Sequence, residues 1–321
     1  MVEAIYKLFM ISWTGNMVFD ITPVGHFSID SISLPDRRMP FVVLGGSVTY
    51  VAFVARRLDT SVSIVSKIGA DFPEAYLWWL GQEGIDLSGV IRAENAQTTR
   101  FELFYNNDLS NRNLKLKSKA PPVVVDDLSN SLHAKAVHLA PIAGEISYEV
   151  AERLKSYAQV LSFDPQGLLR NFDDDGNVTY SPLHDKRLLD LVNIYKSSLD
   201  EIEIVTGLSD LNSAIKAIHD YGAETVIVTL GAEGAVLSVE KALYKIPSYK
   251  LGKLVDPTGA GDVFIGGFLA EYVCGKDSLW CACVGSAAAS LVAEGLGPTF
   301  LGEKQEIYRR GRVLYEKEIK E

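Results

Sequence analysis

The chain is 321 residues long, 47% hydrophobic, with a mean hydropathy of +0.10 and a net charge of −10. These values exclude a low-hydrophobicity disordered chain, and an acid excess unbroken by any Lys/Arg run longer than a pair excludes the electrostatic footprint of a nucleic-acid binder. The apolar stretch at 8–13 is too short to cross a bilayer and lacks the flanks of a secretory signal, so a cytoplasmic protein with no membrane partner is expected. The length suits one large α/β domain with a smaller appendage. Cys274, Cys281 and Cys283 fall in one C-terminal stretch that reads as helix, with His219 the nearest histidine in sequence. They are expected to be packed side chains, neither a disulfide framework nor a metal site.

In chain order, a first strand is placed at 5–18, ending at Asp20. Residues 25–34 carry apolar side chains at Phe27 and Ile29 and then, out of phase, at Ile32 and Leu34, which fits two short strands with a bulge. Helix at 47–58, strand at 62–66 and helix at 73–83 follow. In 98–117, Phe101, Leu103 and Tyr105 alternate before an Asn-Asn-Asp turn leading to Leu114 and Leu116. These two insertions, 22–40 and 98–117, are expected to form one small sheet. The remainder, 1–21, 41–97 and 118–321, forms the large domain. There the alternation resumes with strand at 136–139, helix at 147–157 and strands at 160–163, 191–196 and 225–230. Edge strands at 234–239 and 242–246 and long helices at 260–274 and 278–293 complete it. Such alternation implies an α/β fold with a mostly parallel sheet and helices on both faces, its ligands beyond the carboxyl ends of the strands.

The most informative segment is Val255-Asp256-Pro257-Thr258-Gly259-Ala260-Gly261-Asp262, which opens an apolar helix. Two glycines let the backbone approach a ligand, and the first helical turn offers unpaired N–H groups at the positive end of the macrodipole, an anion-binding nest. A carboxylate at the same place, Asp262, can take a proton from a hydroxyl as a phosphoryl group in the nest receives the nucleophile. The segment has neither the Lys-Ser/Thr pair of a Walker A loop nor the third glycine of a dinucleotide fold, where Phe264 stands.

D-P-T-G-A-G-D-V-F-I-G-G-F resembles the C-terminal signature of the PfkB, or ribokinase-like, carbohydrate kinases. The resemblance implies a ribokinase-like fold with a β-sheet lid, an anion hole at Gly259, Ala260 and Gly261, and Asp262 as catalytic base. It extends over most of the chain. Gly45-Gly46, continued by Ala55-Arg56-Arg57-Leu58 and Lys67-Ile68-Gly69-Ala70-Asp71, resembles the N-terminal signature, whose glycine pair contacts substrate. Asp20, with Asn16 before it, matches the carboxylate that grips substrate hydroxyls. Thr229-Leu230-Gly231-Ala232-Glu233-Gly234 resembles the nucleotide loop, and the small residues around Ser286 match the region lining the adenine pocket. Thr258 is assigned to the nucleotide on the same basis.

Two departures matter. Ser198 replaces the usual asparagine of the N-x-x-E element while Glu201 is retained, which keeps Mg2+ binding through Glu201 and puts the amide's contact in doubt. Tyr50 stands where many sugar kinases carry a substrate-binding asparagine, which argues against ribose. Asp164-Pro165-Gln166-Gly167, followed by Arg170, and Pro141-Ile142-Ala143-Gly144-Glu145 resemble a subgroup that includes inositol kinases and archaeal sugar kinases, so Asp164 and Gln166 join the expected substrate contacts. The resulting expectation is an ATP- and Mg2+-dependent kinase of a small polyol or sugar, a cyclitol such as myo-inositol foremost, working as a homodimer. The alternatives are a nucleoside kinase or a catalytically silent ligand-binding homologue.

Overall fold

The computed structural model describes residues 18–318, apart from 108, 110, 111 and 241. Fifteen strands are described: β1 (Val18–Val24), β2 (Ser28–Ser33), β3 (Phe41–Gly45), β4 (Val62–Gly69), β5 (Ile85–Ala93), β6 (Thr99–Tyr105), β7 (Arg112–Ser118), β8 (His133–Leu139), β9 (Ala158–Phe163), β10 (Arg170–Phe172), β11 (Val178–Tyr180), β12 (Ile194–Ser198), β13 (Thr225–Thr229), β14 (Ala235–Val239) and β15 (Ala242–Ile246). The α-helices among these residues are α1 (Ser47–Arg57), α2 (Glu74–Gln82), α3 (Tyr148–Lys155), α4 (Leu199–Thr206), α5 (Leu211–Asp220), α6 (Ala260–Tyr272), α7 (Ser278–Val292) and α8 (Lys304–Glu318).

Nine strands form the main sheet in the order β15-β14-β13-β12-β9-β8-β1-β4-β5. All pairs from β13 to β5 are parallel, and β14 and β15 add antiparallel at one edge. The β-branched run of β13 divides between two cores, Ile227 to one face of the sheet and Val226 and Val228 to the other. Burial on both faces is why such strands read as continuous apolar runs. From β1 the chain builds outward through β4 to β5 and then returns to place β8 on the other flank of β1. Strand order reverses there, and a crevice opens beyond the carboxyl ends.

A second, four-stranded sheet has the order β3-β2-β6-β7. Its inner face carries Ile32, Leu34, Phe101 and Leu103, and Ile142 and Ala143 from the corner after β8 complete this small core. Three expectations change here. The described first strand is Val18–Val24, so residues 22–24 belong to the large sheet, while 41–45 and 118 belong to the small one; the expected strand at 5–17 lies outside the described residues. The stretch read as two strands with a bulge is one strand, β2, paired without a register break to both neighbours. Its apolar phase changes because Phe27 and Ile29 pack into the large core, whereas Ile32 and Leu34, on the opposite face, pack into the small one. Strand β5, which the periodicity did not reveal, has mostly half-buried residues at the sheet edge.

Candidate active site

Helix α6 begins beyond the carboxyl ends of the strands, and nearly all its residues are buried because it packs against both α1 and α7. Its N-cap, Gly259, has φ +76° and no capping side chain, and a Cβ there would overlap the ring of Tyr50. Only glycine satisfies both demands. The Ala260 N–H donates to Pro257 O at 3.2 Å, but the N–H groups of Gly259, Gly261 and Asp262 have no partner among the described residues. Three of the donors an anion would need are therefore open at this helix start, while that of Ala260 is engaged.

Asp262 lies in the first turn of α6 and is 7% exposed. Its carboxylate faces a cavity of about 260 Å³. Burial raises its pKa to about 6, against the opposing charge of Lys196. On the same cavity stand Ser28 and Asp30 of β2, Gly46, Tyr50 of α1, Gln166 and Arg170. Burial also raises Asp30 to about 6, with Arg112 and Arg170 working the other way. Gly45 is a glycine because a Cβ would collide with the Asp30 carboxylate. Among the described residues, nine buried side-chain polar atoms lack a hydrogen-bond partner, and five belong to residues lining this one cavity: Ser28 Oγ, Asp30 Oδ1, Tyr50 OH, Arg170 Nε and Asp262 Oδ1. Orphaned buried groups are costly, so their concentration here marks the cavity as a candidate site for a polar ligand.

A second, more apolar cavity of about 720 Å³ lies on the other side of the nest. Thr229, Gly231, Gly234 and Ser286 line it, together with Tyr249 and Phe264. Pro257, Ala260 and Gly261 line both cavities, so the two meet at the start of α6.

Beneath the nest, Lys196 of β12 is 3% exposed and its ammonium lies 2.6 Å from Asp164. A Cβ on Gly261 would come within 2.7 Å of Lys196 Nζ. Burial alone would lower the Lys196 pKa, but Asp164, Glu201 and Asp262 together raise it. Asp164 therefore does not line the cavity as expected of a substrate contact; it holds this buried cation.

Ser198 and Glu201 form a capping box at the start of α4, with Ser198 N donating to Glu201 Oε2 at 2.7 Å and Glu201 N donating to Ser198 Oγ at 3.3 Å. Serine caps a helix as well as asparagine does, which explains how the element survives the substitution. Ser198 lines neither cavity. Among the described residues no three His, Cys, Asp or Glu side chains gather as metal ligands. A Mg2+ ion here would depend on one carboxylate, Glu201, with phosphates and water as further ligands, as this ion commonly does.

The remaining assignments move. Asp20 sits near the amino end of β1, away from the crevice, where Ser61 donates to it from N and Oγ, both at 2.8 Å, and Lys135 pairs with it at 2.7 Å. It lines neither cavity because the strand starts later than expected; Asp30, together with Asp262, lines the smaller cavity in its stead. Asn16 lies outside the described residues. Thr258 lines the smaller cavity, not the one shared by Thr229 and Ser286, and is held by Asp256 Oδ1 at 2.6 Å and Tyr105 OH at 2.7 Å. Asp30, Arg112 and Arg170 were not singled out as site residues. The one clue to Asp30 was that Phe27 and Ile29 bury one face of β2, which turns Ser28 and Asp30 to the other.

Residues 24–305 match the pfkB family carbohydrate kinases. The chain is 30% identical over 291 residues to a cytidine kinase of Thermococcus kodakarensis (strain ATCC BAA-918 / JCM 12380 / KOD1), covering 87% of this chain and 98% of that one. It is 27% identical over 263 residues to an inositol 3-kinase of Arabidopsis thaliana, covering 79% of this chain and 68% of the relative. In fold it resembles a pyrophosphate-dependent kinase of the ribokinase family complexed with a pyrophosphate analog and myo-inositol, with a TM-score of 0.77 and 23% identity over 90% of this chain and 99% of that one. It also resembles the nucleoside kinase of Methanocaldococcus jannaschii, with a TM-score of 0.72 and 24% identity over 93% and 100%. The chain thus belongs to the pfkB carbohydrate kinase family and is a phosphotransferase acting on a hydroxyl of a small molecule.

Proposed function

We propose that the chain phosphorylates a sugar hydroxyl of a nucleoside at the expense of ATP. One observation carries this reading: a hydroxyl-seeking cavity and a nucleotide-sized apolar cavity meet at a carboxylate and a set of free N–H groups. Asp262 removes the proton from the acceptor hydroxyl, and the N–H groups of Gly259, Gly261 and Asp262 receive charge on the transferring phosphoryl group. Lys196 supplies fixed positive charge beneath them. Glu201 would help to hold a magnesium ion beside the donor phosphates, and such an ion would supply charge neutralisation there.

The donor assignment is supported by the larger cavity, since pyrophosphate has no base to fill its apolar walls. The acceptor assignment is supported by the division of the smaller cavity. Asp30, Ser28 and Tyr50 suit a sugar, while Phe101 and Leu103 from the small sheet offer an apolar wall for a base. A cyclitol is the second reading, favoured by Arg112 and Arg170, which add donors beyond those a ribose needs. Competition decides between them. In assays holding several acceptors together, cytidine or another nucleoside is expected to suppress phosphorylation of myo-inositol. Preference for the cyclitol would select the second reading, and no transfer to any acceptor would return the silent homologue.

We further propose a homodimer through the small sheet. Val42 pairs with Ser31, and Phe104 with Ser33, which puts both on the outer face opposite Ile32. They are 61% and 46% exposed, an apolar face without cover in the single chain. Light scattering is expected to give twice the chain mass, falling to one in Val42→Lys/Phe104→Lys; a monomeric parent protein would refute it.

A further inference from the structure

The segment 247–254, between β15 and the approach to α6, walls the larger cavity with Ser248, Tyr249, Lys250, Leu251 and Leu254. It has no regular secondary structure, so its shape depends on anchors. Its ends are well tied. Ser286 Oγ donates to Pro247 O at 2.9 Å, Ser248 Oγ to Ala232 O at 2.5 Å, and, just beyond the segment, Val255 N to Ala293 O at 2.8 Å.

The middle depends on one buried cation from outside the cavity. Arg310 of α8 is 8% exposed and lines neither cavity. Its guanidinium lies over the Tyr249 ring, 4.6 Å from the centroid. Nη1 donates to Ser290 Oγ at 2.9 Å, Nη2 to Glu294 Oε2 at 2.8 Å and Nε to Glu306 Oε1 at 2.9 Å. The other oxygen of Glu294 accepts from Gly252 N at 2.9 Å. One fork thus fixes an aromatic wall of the cavity, a hydroxyl on its floor and, through Glu294, the turn between Leu251 and Leu254. Arg309 adds only a long contact to the Tyr249 hydroxyl, 3.4 Å.

We infer that Arg310 and Glu294 are positioning residues for the phosphoryl donor: they hold the 249–252 wall in its base-accepting shape and so set donor affinity without touching the acceptor or the reacting atoms. Guanidinium geometry suits this task, because its planar fork bonds two helices while its face covers an aromatic ring. An unanchored wall would have to be ordered by the nucleotide itself, and that cost appears in binding. The inference rests on the larger cavity being the nucleotide site.

The test uses the full chain and compares Arg310→Met, Glu294→Gln and the double variant. Equilibrium binding of ATP, donor KM, acceptor KM, kcat and Tm are measured for each. Donor Kd and KM are expected to rise ~10-fold in each single variant, with kcat at saturating donor and acceptor KM changed by less than about 2-fold. The double variant is expected to be no weaker than the worse single one, because both act through one network. Arg310→Lys, which keeps the charge and loses the fork, is expected to recover only part of the affinity. Parental donor affinity in both single variants overturns the inference, as does a loss of kcat and of both affinities in step with Tm, which marks general destabilisation. Failure of the parent protein to bind ATP overturns the donor assignment itself.

Discussion

Asp262→Asn is expected to lower kcat by ~10²- to 10⁴-fold, the usual contribution of a positioned general base, while ATP still binds with near-parental affinity. The asparagine keeps the shape of the first turn of α6 and the free N–H groups that face the phosphates, and removes only the proton acceptor. The parent enzyme should also lose turnover as pH falls below about 6, because Asp262 titrates there and only its ionised form is a base. In the variant this acidic limb should be missing from the residual activity. Stability provides an independent control. The folded-state pKa lies above the ordinary 3.8, so between pH 3.8 and about 6 the folded chain binds more protons than the unfolded one. Stability therefore falls as pH rises through that window, and above it the full cost of a buried charge is present. Removing the charge should raise Tm at pH 7, on the order of a few kcal/mol of stability. An inactive variant that melts higher than its parent cannot be inactive through unfolding. Near-parental turnover would refute Asp262 as the base.

Lys196→Met is expected to destabilise the fold by ~3–5 kcal/mol in urea denaturation, because it leaves Asp164 buried without its partner. The pair is 3% and 2% exposed at residue level, so solvent does little to screen it. Combining it with Asp164→Leu removes both charges, and the double variant should recover much of the loss, as replacement of a whole buried pair by apolar groups often does. Activity should not recover with it. Lys196 works against the burial that raises the Asp262 pKa, so its loss alone should move the acidic limb of the pH–rate profile upward; the double variant should shift less, because Asp164 pushes the Asp262 pKa up and is removed there too. Equal stability of single and double variants would show that Asp164 does not depend on Lys196.

The large sheet was legible because buried parallel strands such as β13 announce themselves as β-branched runs, and the C-terminal helices because Gly275 separates two long apolar stretches. The nest was legible because its glycines and Asp262 are contiguous. Asp30 was not, since it acts across a strand pair against Gly45 and nothing in its neighbours in sequence points to that contact. Asp20 was misplaced by a strand boundary: a carboxylate at the amino end of β1 looks the same in sequence as one at the carboxyl end. Lys196–Asp164 was invisible for a related reason. The two meet across adjacent strands, β9 and β12, 32 positions apart in the chain, and Asp164 alone reads as a loop ligand. The Arg310 network lies further still from any local pattern, since it joins α8 to a segment without regular structure.

The small sheet does not own its interior, because Ile142 and Ala143 reach it from the corner after β8. That corner is itself pinned by Glu145, which accepts from the backbone N–H groups of His26, Ile142 and Ala143 at 2.7–3.1 Å. The flap is consequently not a transplantable module. Excised or grafted onto another scaffold, it would expose its apolar side unless the 140–146 bend travelled with it.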